Sequence, residues 1–220
     1  MRMMIRKVHL WLTLPFGIFI VFLFLTGSIL VFEKEVVTSA AEGGWVSACG
    51  WENPQPFFKT TKQLHRWLLD NPSNKTEVTV GRAVVGVSAI VTCLILLSGL
   101  VLWLPQKLQT LKMRFRLTTG KGALRFWYGW HALAGICCVW FLLLMALTGP
   151  AWTFAWYRNL WFGLLPQSDA PMKVILSLHT GTWGGLTTQL LYFLAALAGA
   201  TLVVSGYYLA FKRMKSQRRK

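Results

Sequence analysis

Charged residues are scarce in this chain: Asp, Glu, Lys and Arg make up only 14% of its 220 residues, whereas hydrophobic residues make up 55%. An average soluble domain carries about 25% charged residues, so this composition excludes an ordinary soluble protein. A helix rises about 1.5 Å per residue and the hydrocarbon layer is about 30 Å thick, so about 20 apolar residues can cross a bilayer. The chain has four stretches of at least this length without any charge: 10–32, 83–106, 126–157 and 174–211.

These stretches predict an all-α integral membrane protein, a four-transmembrane-helix bundle that forms a single membrane domain over 1–220. The third and fourth stretches are longer than a span requires, and we expect the sequences Thr148-Gly149-Pro150 and Gly184-Gly185 to bound them. The predicted spans are approximately 10–32, 82–104, 127–149 and 186–211. The loops between them are 33–81, 105–126 and 150–185.

Acidic residues are also few, and their distribution predicts the orientation. All seven lie in the loops 33–81 and 150–185. The N-terminus, the loop 105–126 and the C-terminal tail hold fifteen basic residues and no acidic one. Basic residues beside short loops stay on the cytoplasmic side, so both termini are predicted to be cytoplasmic and the two acid-containing loops to face outward. The net charge of +16 then needs no nucleic acid as a partner, because insertion and attraction to the anionic lipid bilayer account for it.

The sequence has no phosphate-binding loop, no paired carboxylates and no nucleophile beside a general base, so nothing in it indicates hydrolytic catalysis. Cysteines are few and spread out. Cys93, Cys137 and Cys138 fall inside predicted spans, where small buried hydrophobic residues are common. Cys49 alone falls in an outward loop, with no CxxC partner for a metal and no evident partner for a disulfide.

A faint internal repeat indicates that the bundle consists of two similar two-helix units. His9 stands seventeen residues before Thr26-Gly27, and His131 stands seventeen residues before Thr148-Gly149. Spans two and four also share Ser98-Gly99 and Ser205-Gly206, although their spacings from His65 and His179 differ by seven residues. Such units would share one orientation and be related by an axis along the membrane normal.

The four histidines carry the strongest functional signal. Each stands near the start of a predicted span, and alternate spans start on opposite sides, so His9 and His131 share the inner side while His65 and His179 share the outer side. The bilayer separates the two pairs, which excludes a single four-histidine metal site. A haem takes one axial ligand above its plane and one below it, neutral imidazole is a strong ligand for iron, and two facing helices offer this geometry. We therefore predict two haem sites with these histidines as iron ligands.

Purely structural interpretations of the same residues stay open. Interfacial histidines often act as anchors in the headgroup region, and the tryptophans are placed as an aromatic belt. The Thr-Gly and Ser-Gly pairs are more often helix-packing contacts than functional hydroxyls.

The prediction of haem also needs space beside the histidines. Small residues near them would leave room for a macrocycle: Gly17, Gly86, Ala132, Ala134, Gly135, Gly181, Gly184 and Gly185.

Several motifs resemble the PepSY-associated transmembrane family. They are Arg6-Lys7-Val8-His9 with Leu25-Thr26-Gly27, Leu64-His65-Arg66-Trp67-Leu68, Ser98-Gly99-Leu100-Val101-Leu102-Trp103, and Leu178-His179-Thr180-Gly181 with Gly184-Gly185. The resemblance implies a multi-pass protein of the bacterial inner (cytoplasmic) membrane, linked to iron uptake. It also implies two b-type haems with His9, His65, His131 and His179 as ligands, and reduction of ferric siderophores at the periplasmic face. The outer loops are too short for the full soluble PepSY domains of larger members.

The function predicted from the sequence is thus that of a di-haem transmembrane electron-transfer protein, a membrane ferric siderophore reductase. Its substrate would be a ferric siderophore or another ferric chelate, and its electron donor a cytoplasmic flavoprotein or a quinol. The expected contact surface for the chelate is the aromatic segment 152–171 with Arg158, together with 45–58. Two alternatives remain, a non-catalytic haem-binding or transporter-associated membrane partner and a haem-free interaction protein.

Overall fold

The structure is a computed structural model that describes residues 1–74, 77–105, 111, 115, 117, 119–120, 122–165 and 170–217. The described residues form α-helices and two short 3₁₀ segments, Gly149–Trp152 and Thr182–Gly184, with no strand among them. The helices are α1 Arg2–Leu30, α2 Glu33–Ala41, α3 Trp45–Ala48, α4 Gln55–Trp67, α5 Val80–Trp103, α6 Ala123–Thr148, α7 Ala155–Leu164, α8 Pro171–Thr180 and α9 Gly185–Gln217. The predicted all-α class is confirmed.

Among the described residues, four helices, α1, α5, α6 and α9, are long and apolar enough to cross a membrane, as the predicted four-transmembrane-helix bundle requires. They extend past the uncharged stretches. α1 already begins at Arg2 and α9 continues to Gln217, because arginine, lysine and methionine favour helix as well as leucine does. Eight of the basic residues predicted to face the cytoplasm lie outside the described residues: Lys107, Lys112, Arg114, Arg116, Lys121, Arg218, Arg219 and Lys220. The acidic residue Asp169, predicted to face outward, also lies outside them.

The spanning helices pack in a ring in which α1 contacts α5 and α9, and α6 contacts the same two helices. Small residues let the helices approach closely, and the core around Ala134, Leu142, Ala195 and Leu202 fills the centre of the ring. The start of α1 and the end of α9 lie at one end of the bundle, which we call the termini end. The opposite end, which we call the loop end, carries α2–α4 and α7–α8. Leucines such as Leu94 and Leu194 are exposed on the outside, where lipid would cover them.

The loop end holds two short helices against the spans. α4 packs on α1 and α5, and α8 packs on α6. α4 begins at Gln55, where Pro56 suits a first turn, and it ends at Trp67 because Leu68 takes a left-handed conformation with φ 53°. α8 ends in the same way at Gly181, with φ 79°. A left-handed residue therefore ends each short helix before the chain continues to the next spanning helix.

Polar contacts fasten these segments to the bundle. Lys62 of α4 forms a 2.7 Å ion pair with Glu33 of α2. The Gln189 side chain of α9 donates to Glu35 Oε1 at 2.9 Å. Between α4 and α5, the Gly81 amide donates to Asp70 Oδ2 at 2.8 Å. The position of α4 relative to α1 and α5 is thus fixed by packing and by these bonds.

Candidate functional site

The four histidines meet as two pairs, one at each end of the bundle. At the termini end, the rings of His9 on α1 and His131 on α6 have centroids 6.4 Å apart. At the loop end, the rings of His65 on α4 and His179 on α8 have centroids 6.2 Å apart. The structure thus brings together the same partners that the alternating direction of the spans predicted.

The spacing within each pair can be compared with that of two imidazoles bound to one metal ion. A metal–imidazole bond of about 2.0 Å, together with about 1.2 Å from the ligating nitrogen to the ring centre, puts two opposed rings on one ion about 6.4 Å apart. The two observed separations, 6.4 and 6.2 Å, match this value. Among the described residues no group of three or more His, Cys, Asp or Glu side chains converges. In the described part of the chain each pair thus supplies two imidazoles as candidate ligands.

Every histidine holds its Nδ1 atom against a hydroxyl group on another helix. The hydroxyl oxygen lies 2.9 Å from Nδ1 in all four cases. The four bonds join His9 to Ser98, His65 to Thr26, His131 to Ser205 and His179 to Thr148.

These hydroxyl groups determine which ring nitrogen carries the proton. Ser98, Thr26, Ser205 and Thr148 each donate their single hydrogen to a backbone carbonyl on their own helix. Each hydroxyl oxygen must therefore accept from Nδ1–H. The carbonyls of Ile95 and Met145, at 3.1 Å from Nδ1 of His9 and His179, require the same tautomer. Nε2 is thus left with its lone pair, as an iron ligand requires.

A glycine follows each of these hydroxyl residues and lies against the histidine ring. A methyl group at Gly27 or Gly99 would stand 3.2 Å from His65 Cε1 or 3.3 Å from His9 Cε1. Gly149 and Gly206 leave 3.7 and 3.5 Å to the rings of His179 and His131. Sequence reasoning assigned the Thr-Gly and Ser-Gly pairs to helix packing. The structure places them at the histidines, where the hydroxyl orients the ring and the glycine gives it room.

Only part of the small-residue set proposed from the sequence lies beside the termini-end pair. Ala132 and Gly135 line the cavity there. Gly17 and Gly86 instead accommodate Tyr207 and the pair Thr153 and Phe154, respectively. The signal that could have identified the closer glycines was the recurrence of a hydroxyl residue followed by glycine once in each span.

A cavity of about 920 Å³ opens beside His9 and His131. Its walls come from α1, α5, α6 and α9 and are mostly apolar, with side chains such as Ile20, Phe24 and Leu142. This volume is at the upper end of ordinary ligand sites, about 300–1,000 Å³. A large, mainly apolar ligand therefore fits this space in size and polarity.

The loop-end pair lies in an aromatic and cationic setting. The Trp152 ring is centred 5.0 Å from the His179 ring. Burial lowers the pKa of His65 to about 3, and repulsion from His179 and Arg66 contributes to this shift. Burial likewise lowers the pKa of His179 to about 4. Both imidazoles are therefore neutral near pH 7 and able to act as ligands.

The remaining sequence-predicted positions lie apart from the pairs. Arg158 lies on α7, and residues 166–169 of the predicted contact surface lie outside the described residues. Cys49 is exposed and not part of a disulfide. Cys93, Cys137 and Cys138 are also free thiols.

A four-helix membrane protein with one histidine pair at each end of its bundle is the class that this fold and these sites define. The chain belongs to the family described as the PepSY-associated TM region, whose model matches residues 38–172 and 162–213. The resemblance inferred from the motifs is thereby confirmed. No curated protein and no solved structure matches the chain. The matched ranges contain His65, His131 and His179, whereas His9 lies before them.

Proposed function

We propose that the chain is a di-haem electron-transfer protein of the bacterial inner membrane that reduces a ferric chelate, such as a ferric siderophore, at the periplasmic face during iron uptake. The single observation that supports this most strongly is the pair of imidazoles at each end, spaced for a shared metal and holding Nε2 unprotonated. His9 and His131 would hold the haem at the termini end. His65 and His179 would hold the other.

The proposed orientation puts the termini end in the cytoplasm, in keeping with the basic residues there. Electrons would then enter at the His9 pair and leave at the His65 pair. A haem with two axial imidazoles supplies reversible one-electron chemistry without an open position for oxygen. The protein's own part is to hold both rings of each pair fixed through Ser98, Thr26, Ser205 and Thr148 and to keep water out with its apolar helices.

The proposed substrate follows from the chemistry of iron release. Anionic oxygen donors attract Fe³⁺ more strongly than Fe²⁺ because the attraction scales with ionic charge. One electron therefore turns a tight complex into a labile one. The aromatic helix α7 with Arg158, and the segment 45–58, are the proposed contact surface. A cytoplasmic flavoprotein or a quinol is the proposed donor.

The proposal includes a two-unit architecture, one unit of α1, α4 and α5 and a second of α6, α8 and α9. Matched hydrogen bonds support it. In each unit the histidine of the first span bonds a serine of the second, as His9 does with Ser98 and His131 with Ser205. In each unit the histidine of the short helix bonds a threonine of the first span, as His65 does with Thr26 and His179 with Thr148.

The difference between dithionite-reduced and oxidised absorption spectra of the purified protein tests the proposal, together with a pyridine haemochrome count. We expect sharp low-spin bands and about two haems per chain. Reduction of a ferric siderophore by membranes that contain the protein and a reductant should follow. A colourless protein from haem-replete cells would rule the proposal out, and a two-haem protein that reduces no ferric chelate would make it a non-catalytic haem-binding partner.

Replacing Thr148 by valine is expected to weaken haem binding at the loop end. Valine has nearly the same shape but lacks the oxygen that accepts from His179 Nδ1 at 2.9 Å. Loss of such an outer partner typically lowers metal affinity by about 10–100-fold. The rate of haem transfer to excess apomyoglobin measures the effect. Thr148→Ser keeps the hydroxyl and should retain haem like the parent, so equal rates for the two variants would count against the assigned role of Thr148.

A further inference from the structure

The cavity at the termini end has a cationic edge that the axial histidines do not explain. Four arginines from three helices line it: Arg2 and Arg6 of α1, Arg125 of α6 and Arg213 of α9. No acidic residue is found among the described residues of its lining. The side chain of Arg2 also donates to the Leu104 carbonyl at the end of α5, which fixes its position.

The arginines lie on one side of the histidine pair. Arg6 and Arg2 precede His9 by three and seven residues, so they share its face of α1 and stand about 4.5 and 10 Å along the helix from it. Arg213 follows Gly206, the neighbour of the His131 ring, by seven residues on α9. The opposite part of the lining is apolar. The cavity is therefore polarised, with the imidazoles between a cationic edge and an apolar interior.

The basic residues that line the cavity differ in type from the other basic residues at the termini end. The described basic residues there include Lys7, Lys212 and Lys215, and none of these lines the cavity. All four lining cations are arginines. Insertion and lipid attraction require only positive charge, which lysine supplies equally well. Arginine differs in its planar fork of donors, which matches a carboxylate in a bidentate manner.

We propose that Arg2, Arg6, Arg125 and Arg213 bind the two carboxylates of the haem held by His9 and His131 and fix its carboxylate edge toward the termini end. This inference rests on the proposed function, because it requires haem at this pair. The guanidinium groups also favour the reduced state of this haem, since its reduction adds an electron near these positive charges. The arginines are thus positioning residues that also raise the reduction potential of this haem.

Two triple variants of the full-length holoprotein test the inference. Arg6→Gln/Arg125→Gln/Arg213→Gln removes three charges from the cavity edge. Lys7→Gln/Lys212→Gln/Lys215→Gln removes the same charge from the same end without touching the cavity. The readouts are haem transfer to excess apomyoglobin and a redox titration of each haem. We expect the arginine variant to release the termini-end haem at least about tenfold faster and to lower its midpoint potential, with the other haem unchanged. The lysine variant should behave like the parent.

A conservative variant keeps the test decisive if the arginine triple variant does not accumulate. Arg6→Lys/Arg125→Lys/Arg213→Lys retains the charge and loses the bidentate geometry, so its release rate should exceed that of the parent. Identical haem release rates and midpoint potentials for the arginine-to-glutamine and the lysine-to-glutamine triple variants would overturn the inference. Two haems in the parent would then still support the proposed function. Loss of co-purified anionic phospholipid without a change in haem release would also overturn it, in favour of a lipid headgroup site. A parent without haem would overturn both proposals.

Discussion

His131→Ala is expected to lower the haem content from about two per chain to about one. The substitution removes one of the two imidazoles whose centroids lie 6.4 Å apart, and a haem with a single axial partner is held far more weakly. The loop-end pair lies at the opposite end of the bundle and makes no contact with His131. The pyridine haemochrome count measures the loss, and the surviving reduced-minus-oxidised bands identify the haem that remains.

The other histidines sharpen this result because the structure assigns them to pairs. His9→Ala should remove the same spectral component as His131→Ala, and His65→Ala the same component as His179→Ala. Trp140→Phe is a suitable control, since Trp140 lies on α6 with His131 but is 64% exposed on the lipid-facing side. It should keep both haems. A component lost in both His131→Ala and His65→Ala would contradict the pairing.

The spanning helices and the histidine pairing could be predicted because each depends on a property that is local in the sequence. An uncharged stretch of about 20 residues has few alternatives to a membrane helix, since its backbone groups must be satisfied internally. Alternating span direction then places His9 with His131 and His65 with His179 without any knowledge of packing. The ring separations additionally depend on the histidine rotamers, which the hydroxyl partners hold.

The hydroxyl partners could not be predicted in the same way, because each hydrogen bond joins helices whose relative rotation the sequence does not state. Serine, threonine and glycine are common in spans as packing residues, so Ser98-Gly99 or Thr148-Gly149 carries little information alone. The contact of Thr26 with His65 crosses from a spanning helix to a short one. The start of α4 is hard to predict for a related reason: its first turn, from Gln55, lies among prolines that indicate a loop as readily as a helix start.

A single methyl group at Gly81 is expected to displace α4 and abolish the loop-end haem site. The added carbon would stand 2.0 Å from the Trp67 carbonyl oxygen and 2.8 Å from Asp70 Cβ, and a backbone carbonyl cannot rotate away as a side chain can. Overpacking of this kind costs about 1–3 kcal/mol. His65 lies only two residues before Trp67, so relief of the clash moves its ring away from Thr26. Gly81→Ala should therefore hold about one haem per chain.

The matched control is Gly163→Ala on α7, where an added methyl meets no atom within 4 Å. Both variants add one carbon to a helical glycine at the loop end. A difference in haem content between them therefore cannot come from membrane insertion or from general helix propensity. The His9 pair, at the termini end, should keep its haem in both variants, with unchanged bands. If Gly81→Ala retained two haems with parental spectra, the close contact between the end of α4 and the start of α5 would not be what holds His65 in place. If it lost the termini-end haem as well, the two sites would depend on one cooperative packing unit rather than on separate ends of the bundle.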